Sequence, residues 1–417
     1  MNKQIAVLGR QPLISVAELE ARFGANVRII ARSKNSPWLA EFEADRHVDI
    51  RKLGGILKIA EPIEMKDFLA SLPAEGKITL GVSDFSKKTS ASQAQKSALT
   101  LKKMLVKQGR SVRVVPNQTA VLSSAVSLHN HLFRENKIEL LKLDEKLYKV
   151  TQASNPEGYA RRDQKRPARD AKVGMLPPKL AQILINLCGE LPEGARVLDP
   201  FCGTGVVLQE ALLMGYRAYG TDVNERMVEY SERNLKWLEG SLTSLSRSSL
   251  RAPVVTGPVR SSSAVTSHDL EKLASVPSNH RKVSSGNTVV QVGDATSFQW
   301  EQPIDAVACE TYLGPPMSNP PAEIKLKDTR QLCGGIIRGF LKNLAGQIKS
   351  GTPVVIAVPA WLRPDGTYTR LFGEKLVDEM ENLRYNVSSF KNLGQNDLLY
   401  HREGQVVARE IIVLRKK

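Results

Sequence analysis

A glycine-rich turn after an apolar run restricts the fold of this 417-residue chain more than any other feature. The segment from Val197 to Gly205 reads VLDPFCGTG, so an apolar strand ends at Asp199 and a turn with two glycines leads into a helical pattern. Glycines let the backbone turn tightly against a ligand, and a helix that begins there presents free N–H groups. The arrangement predicts a nucleotide-type site at the carboxyl end of a strand.

Acidic residues also end the next two strand-like runs. Asp222 closes YRAYGTDV, where a carboxylate can accept hydrogen bonds from both ribose hydroxyls, and Asp294 follows TVVQVG, where it can meet the exocyclic amine of adenine. The turn lacks the third glycine of the G-x-G-x-x-G fingerprint for dinucleotides. A carboxylate before the turn suits the ammonium of S-adenosylmethionine better than it suits a phosphate. We therefore expect S-adenosylmethionine as the cofactor.

The order of elements predicts a mixed α/β chain. Strand-like and helix-like runs alternate from about residue 180 to the end, which favours a doubly wound, Rossmann-like parallel sheet over 180–417. The last runs, LLYHREGQVVAREIIVLRK, predict a hairpin that adds an antiparallel edge. Residues 1–155 mix short strands and helices, first within about 55 residues and then in a second unit from about Gly76. They predict a smaller α+β region.

Two segments interrupt this pattern. Residues 156–179 contain four prolines and a basic cluster, and we interpret them as a basic linker between the two regions. Residues 241–287 hold 16 Ser and Thr and no Phe, Trp or Tyr. Such a segment cannot bury enough apolar surface to offset its ordering entropy. We expect a flexible insertion on the surface of the second region.

Charge points to a polyanionic partner. The chain has 59 Lys and Arg against 43 Asp and Glu, a net charge of +16, and residues 1–150 hold 25 of the basic and 15 of the acidic residues. We expect the first third to bind nucleic acid, the alternative being a basic surface without a partner.

Composition also excludes several classes of protein. The chain has no run of about 18 uncharged apolar residues, so we expect no membrane span. Its four cysteines have no zinc-type spacing and no disulfide framework, so we expect no metal. The start has no signal-peptide pattern, and we expect the chain to stay in the cytoplasm.

Several motifs resemble the THUMP-domain tRNA (guanine-N2) methyltransferases, a family of class I S-adenosylmethionine-dependent enzymes. The resemblance covers nearly the whole chain outside 241–287. It rests on RRDQKRPARDAKVGMLPPKLAQILINL, VLDPFCGTG, GTDVNERM, VGDAT and VVAREIIVL. In the first third, LKKMLVKQGRSVRVV and LSSAVSLHNHLF are similar to the RNA-binding THUMP module behind a ferredoxin-like start. The resemblance implies methylation of a guanine N2 amine in tRNA, with position 10 as the first site to test.

The resemblance also implies the residues of the binding sites. The methionine end of the cofactor would lie beside Asp199, the ribose at Asp222 and the adenine at Asp294, while Lys179 helps to close the pocket. The predicted cofactor-binding residues are Met175, Pro178, Asp199, Pro200, Phe201, Cys202, Gly203, Thr204, Gly205, Asp222, Val223, Asp294, Ala295 and Glu310. The predicted RNA-binding residues are Lys102, Lys103, Arg113, Arg161, Arg162 and Arg166.

The catalytic motif departs from the family pattern. The family has Asp-Pro-Pro-Tyr after its fourth strand, whereas this chain reads ETYLGPP, with its acid, aromatic ring and proline pair in another order. The lone pair of a guanine amine is delocalised into the ring, so the amine must be positioned and its proton accepted. We predict that Glu310 accepts the proton of the amine and that Tyr312 stacks on the base. The predicted catalytic residues are Glu310, Tyr312, Pro315 and Pro316.

We therefore expect a tRNA methyltransferase that transfers the methyl group directly, without a covalent enzyme intermediate. Strand alternation turns Cys309 away from Glu310, which favours a packed cysteine over a nucleophile. Two alternatives stay open. One is methylation of a DNA base amine, and the other is a non-catalytic RNA-binding protein that keeps the cofactor pocket. An accessory subunit or a homodimer is compatible with each reading.

Overall fold

The computed structural model describes residues 2–33, 36–45, 47–87, 89–170, 175–249, 282–301, 303–394 and 396–417. Its strands form two sheets, one within residues 2–153 and the other within 196–416. None of the helices in the described ranges is long and apolar enough to cross a membrane.

The first region contains one sheet with four helices. A 3₁₀ turn at Ile50–Lys52 lies between its third and fourth strands. In chain order its elements are β1 (Asn2–Leu8), α1 (Pro12–Phe23), β2 (Arg28–Ala31), β3 (Leu39–Ala44), β4 (Ile56–Ile63), α2 (Met65–Ala70), β5 (Ile78–Asp84), α3 (Ala91–Lys107), β6 (Val112–Val114), α4 (Ser124–His129), β7 (Phe133–Arg134), β8 (Lys137–Leu143) and β9 (Lys146–Ala153).

The strand order of this sheet is β2-β3-β1-β4-β9-β8-β5-β6, with β7 paired to β8. The first four strands are antiparallel in a ferredoxin-like order, in which the 3₁₀ turn stands where a second helix would lie. β4 pairs with β9, so Ile63 lies opposite Leu147 and Lys58 opposite Ala153. The two predicted units therefore share one continuous sheet. Backbone pairing between segments so far apart in the chain leaves no periodic signal in the sequence.

The described residues of the second region form ten strands and six α-helices. They are α5 (Pro156–Gln164), α6 (Pro178–Leu187), β10 (Arg196–Asp199), α7 (Val206–Leu213), β11 (Arg217–Asp222), α8 (Glu225–Ser249), β12 (Lys282–Ser285), β13 (Thr288–Val292), β14 (Ala306–Glu310), α9 (Glu323–Ala345), β15 (Pro353–Leu362), β16 (Tyr368–Arg370), α10 (Leu376–Asn382), β17 (Tyr385–Val387), β18 (Leu399–Tyr400) and β19 (Val407–Lys416).

The second sheet has the order β12-β13-β11-β10-β14-β15-β19-β17. Strands β13, β11, β10, β14 and β15 are parallel, which confirms the predicted doubly wound sheet. The predicted antiparallel edge is wrong in one respect, because β19 lies between β15 and β17 and is not an edge. Ile411 and Val413 pack into one hydrophobic core while Ile412 and Leu414 pack into the other. A strand that is apolar on both faces belongs inside a sheet.

The segment predicted as a linker is partly folded. Residues 156–164 form α5, where Tyr159 is buried and its hydroxyl donates to Gln182 Oε1 at 2.5 Å. Arg162 pairs with Glu210 of α7, with 2.6 Å between Nε and Oε1. The prediction of a linker is therefore wrong for α5, because its buried side chains attach it to the second region. Residues 171–174 lie outside the described residues.

The predicted Ser-rich insertion is narrower than 241–287. Helix α8 continues to Ser249, and Lys282 begins β12, which pairs antiparallel with β13. The ends of the predicted insertion are thus a helix and an edge strand. Residues 250–281 lie outside the described residues, so the predicted flexibility stays a prediction.

A buried carboxylate joins the two regions. Glu18 of α1 accepts hydrogen bonds from the backbone N–H groups of Gly54 and Gly55, each at 2.8 Å, and from Asn186 Nδ2 of α6 at 2.7 Å. Burial raises the pKa of the Glu18 carboxyl, and these hydrogen bonds oppose the shift. Since two donors come from the turn before β4 and the third from α6, this contact fixes how the first sheet sits beside the second region.

Candidate active site

A cavity of about 1260 Å³ opens beside the carboxyl ends of β10, β11, β13 and β14. The strand order reverses here, because β11 lies on one side of β10 and β14 on the other. Ligands bind at such switch points in doubly wound sheets. The volume exceeds the roughly 300–1,000 Å³ of a typical small-molecule pocket. It leaves room for a cofactor together with a second group.

The glycine turn forms one wall of the cavity. Asp199 ends β10 and is 2% exposed, and its Oδ1 accepts a hydrogen bond from the Phe201 N–H at 3.1 Å. Gly203 has a φ of +50°, and its N–H donates to Asp222 Oδ2 at 2.9 Å. Gly205 has a φ of +77°, and a Cβ there would lie 2.8 Å from Ser231 Oγ. Gly203 thus links two strand ends, while Gly205 lets α7 begin close to α8.

Two further carboxylates lie along the same cavity. Asp222 accepts one backbone N–H on each oxygen, from Gly203 and from Asn224, both at 2.9 Å. A carboxylate has about four acceptor positions, so lone pairs remain for hydroxyl donors. Asp294 Oδ1 accepts from the N–H and the hydroxyl of Thr296 at 2.9 and 2.8 Å. Its second oxygen has no donor among the described residues.

The electrostatics of this end of the cavity favour a cation. Burial raises the pKa of Asp199 well above its ordinary value, and the charges of Asp222 and Glu310 add to the shift. Burial also raises the pKa of Asp222, against two backbone hydrogen bonds. Within the described ranges no Lys or Arg forms an ion pair with Asp199. These residues therefore fit S-adenosylmethionine, whose ammonium and sulfonium are positive and whose ribose carries two hydroxyls.

We expect the association constant for S-adenosylmethionine to fall as the pH drops below neutral, already above the ordinary carboxyl pKa of about 3.9. The pKa values of Asp199 and Asp222 are raised in the free protein, and a neutral carboxyl attracts no ammonium. Binding at low pH must release a proton, so affinity falls with pH. Titration calorimetry checks this, and Asp199→Asn should flatten the dependence. Constant affinity down to about pH 4 would contradict the assignment.

The reordered motif converges on the same cavity. Glu310 ends β14, and Thr311 follows with its N–H at 3.0 Å and its Oγ1 at 3.2 Å from the carbonyl oxygen of Ala357 on β15. Gly314 has a φ of +88°, and a Cβ there would lie 2.9 Å from Thr329 Cγ2 of α9. This anchored turn places the motif residues along one wall, among them Glu310, Tyr312, Pro315 and Pro316. Tyr312 is 40% exposed and lines the cavity, so part of its side chain is accessible to a ligand.

An arginine that the sequence analysis did not assign contacts Glu310. The guanidinium Nε of Arg409 on β19 donates to Glu310 Oε1, and both side chains are largely buried. Burial raises the pKa of Glu310, while the charge and hydrogen bond of Arg409 oppose the shift. The two residues are 99 positions apart, so no local pattern links them. One sequence feature could have indicated this pair. An arginine inside the apolar strand VAREIIVL predicts a buried carboxylate partner, because buried charges are usually paired.

Most of the predicted cofactor residues line the cavity. They are Met175, Asp199, Pro200, Phe201, Cys202, Gly203, Thr204, Asp222, Val223, Asp294, Ala295 and Glu310. Gly205 and Pro178 do not line it, and Pro178 is the buried first residue of α6. Lys179 lies with its ammonium 4.8 Å from the ring centre of Tyr159. Cys309 is fully buried in a hydrophobic core, with a thiol pKa raised by burial, as expected for a packed cysteine.

The predicted RNA-binding residues divide into two groups. Lys102 and Lys103 lie on α3, Arg113 lies on the edge strand β6, and Lys103, Arg113 and Arg161 are exposed. The prediction is wrong for the remaining pair, which makes contacts inside the protein. Arg162 holds Glu210 of α7, and Arg166 is 3% exposed with a terminal nitrogen 3.0 Å from Met175 Sδ. Both side chains help to attach α5 and the residues after it to the second region.

Comparison with known proteins adds family information. Residues 165–357 match the family UPF0020, described as an RMKL-like methyltransferase domain, and residues 90–233 match a DNA methylase family, N6_N4_Mtase. The TrmN structure from Thermus thermophilus is 16% identical with a TM-score of 0.44, covering 100% of this chain and 99% of that one.

Curated relatives match over short segments. The tRNA (guanine(10)-N2)-dimethyltransferase of Methanothermobacter thermautotrophicus is 52% identical over 63 residues, 15% of this chain and 18% of the relative. The enzyme of that name from Methanocaldococcus jannaschii is 30% identical over 132 residues, 32% of this chain and 33% of the relative. The chain thus spans a third or less of these two relatives. The chain is thus similar to the UPF0020 methyltransferase domain family over residues 165–357, and over shorter segments to the tRNA (guanine-N2) methyltransferases.

Proposed function

We propose that this chain is an S-adenosylmethionine-dependent methyltransferase that acts on the exocyclic N2 amine of a guanine in tRNA. The observation that carries the proposal is one cavity lined by two chemically different sets of side chains. Asp199, Asp222 and Asp294 suit a cationic nucleoside, while Glu310 and Tyr312 suit an amine donor and a base ring. Because the relatives are named as guanine(10)-N2 enzymes, position 10 of tRNA is the first site to test.

The residues of this chain divide the chemistry between them. S-adenosylmethionine supplies an electrophilic methyl group on a positively charged sulfur. Tyr312 stacks on a base that has left its helix, and base flipping of this kind is common among methyltransferases. Glu310 accepts a hydrogen bond from the N2 amine, which orients the amine. It then takes the proton that the amine loses as the carbon–nitrogen bond forms and the carbon–sulfur bond breaks.

We assign capture of the tRNA to the first region. Residues 1–150 carry a net charge of +10, from 25 basic and 15 acidic residues. Lys103 and Arg113 are exposed near the β6 edge of the first sheet, and Arg161 is exposed on α5. The contact through Glu18 holds the first region against α6, so a bound tRNA meets the cavity in a set orientation. Phosphate contacts release counterions, so tRNA affinity should fall steeply with added salt.

Transfer of labelled methyl groups to unmodified tRNA transcripts tests the proposal. We expect N2-methylated guanosine after digestion and mass spectrometry. Another methylated nucleoside would show that the altered motif accepts a different base. No incorporation, with cofactor and tRNA both bound, would favour the non-catalytic alternative and contradict the proposal.

Methylation of a DNA base amine is the second candidate function. The match of residues 90–233 to a DNA methylase family favours it, and such an enzyme would use the same cofactor site. The two functions separate in a competition experiment in which tRNA and duplex DNA are supplied together at one salt concentration. Incorporation into DNA above tRNA would replace the proposal with this alternative.

A further inference from the structure

Arg409 lies on β19, two strands away from the end of β14, with β15 between them. In the sheet Glu310 is opposite Ala357 of β15, and Arg409 is opposite Pro359 of the same strand. The Arg409 guanidinium reaches over β15 to Glu310, with 4% of its side chain and 14% of the Glu310 side chain exposed. A charge pair this deeply enclosed holds both side chains in one geometry.

Part of this guanidinium is free to bind a ligand. The structure records one hydrogen bond from Arg409, from Nε to Glu310, and the terminal nitrogens have no acceptor among the described residues. The buried side-chain nitrogens that have no hydrogen-bond partner do not include the two terminal nitrogens of Arg409. Arg409 lines the same cavity as Glu310 and Tyr312. Its terminal N–H groups therefore face space that a substrate can enter.

The next residue shows that this orientation is particular to Arg409. Glu410 points to the other face of β19 and pairs with Arg370, with 2.7 Å between Oε1 and the guanidinium nitrogen. It does not line the cavity. Consecutive residues of the strand thus carry opposite charges to opposite faces. Only the face toward the cavity presents a carboxylate with a partly free guanidinium.

Glu310 offers hydrogen-bond acceptors, and the Arg409 guanidinium beside it offers donors. The Watson–Crick edge of guanine presents the N2 and N1 donors in a row, followed by the O6 acceptor. A guanine that places its N2 amine at Glu310 can turn its O6 toward the neighbouring Arg409 guanidinium. Arginine is also the most common partner of guanine O6 in protein–DNA complexes.

We propose that Arg409 is a specificity-determining and positioning residue, which holds Glu310 toward the cavity and donates a hydrogen bond to O6 of the target guanine. The inference rests on the proposed function and names the second group that reads the base. Loss of this donor leaves O6 unpaired in an enclosed site, which is costly. Glu310 alone does not distinguish guanine from an analogue that has the amine but no oxygen.

Methylation of tRNA that carries guanine or 2-aminopurine at the target position tests this inference. 2-Aminopurine keeps the N2 amine and lacks O6. Wild-type protein should prefer guanine by about 10- to 100-fold in kcat/KM, the discrimination expected of a good polar base contact. In Arg409→Met, activity on guanine should fall and the preference should nearly disappear. Because the analogue also lacks N1–H, the change of the ratio between wild type and variant, and not the ratio itself, reports on Arg409 and O6.

Arg409→Lys keeps a positive charge beside Glu310 and remains informative if Arg409→Met does not fold. It should retain part of the activity on guanine and lose most of the preference. A variant that loses activity on both bases with the wild-type ratio would overturn the inference and leave the proposed function intact. No methylation of guanine by the wild-type protein would overturn both.

Discussion

Glu310→Gln should lower the rate constant for methyl transfer by about 100- to 10,000-fold, the usual contribution of a positioned proton acceptor. The amide cannot take the proton from the N2 amine, and it leaves the buried Arg409 guanidinium without its carboxylate partner. Affinity for S-adenosylmethionine should change much less than the rate, because Asp199, Asp222 and Asp294 also line the cavity and are unaltered in the variant. Single-turnover methylation of tRNA and calorimetric titration of the cofactor measure the two effects separately.

Glu410→Gln is the matched control. Glu410 has a largely enclosed side chain, as Glu310 does, and also pairs with an arginine, but it lies outside the cavity. Its amide variant should methylate tRNA at close to the wild-type rate. If Glu310→Gln keeps a rate within about tenfold of wild type, the proton acceptor lies elsewhere and the assignment of Glu310 is wrong.

Asp222→Ala should raise the dissociation constant for S-adenosylmethionine by about 100-fold or more, since hydrogen bonds to a charged group contribute about 1.5–3 kcal/mol each. The carboxylate ends β11 and lines the cavity, with lone pairs left for the two ribose hydroxyls. It also accepts the N–H of Gly203, so the variant loosens the glycine turn. Affinity for tRNA should be nearly unchanged, because the proposed RNA-binding residues lie elsewhere.

Calorimetry with the cofactor, together with a filter-binding measurement on tRNA, checks this result. Asp305→Ala is the control, because Asp305 is exposed and its carboxylate accepts the Arg196 N–H at 2.7 Å outside the cavity. Asp222→Asn keeps an oxygen that can accept from Gly203 and should fall between wild type and Asp222→Ala. Unchanged cofactor affinity in a variant that still melts cooperatively would remove Asp222 from the cofactor site.

The strand ends of the second region could be predicted because their signals are local. Apolar runs followed by Asp199, Asp222 and Asp294 are short enough to read from the sequence, and parallel strands bring their carboxyl ends to one edge. The position of β19 could not be predicted. The run EIIVLR indicates a strand, but only packing of its two faces into two cores places it inside the sheet.

The predicted basic residues show where charge patterns mislead. Arg162 and Arg166 belong to the same basic cluster as Arg161, and the local sequence does not indicate which of the three is exposed. In the fold Arg162 neutralises Glu210 and Arg166 is buried near Met175, while Arg161 stays exposed. Whether Arg161 or Arg162 meets solvent depends on the face of α5 that packs, and the carboxylate that pairs with Arg162 is 48 residues away in the chain.

The sequence by itself determined the class of fold, the location of the cofactor turn and the residues at three strand ends, because apolar periodicity, glycine turns and strand-end acids act over a few neighbouring residues. Only the tertiary structure decided that Glu310 meets Arg409, that β4 joins β9, and that Glu18 ties the first region to α6. These contacts join segments far apart in the chain. Their energies depend on burial and partner geometry, which no local pattern records.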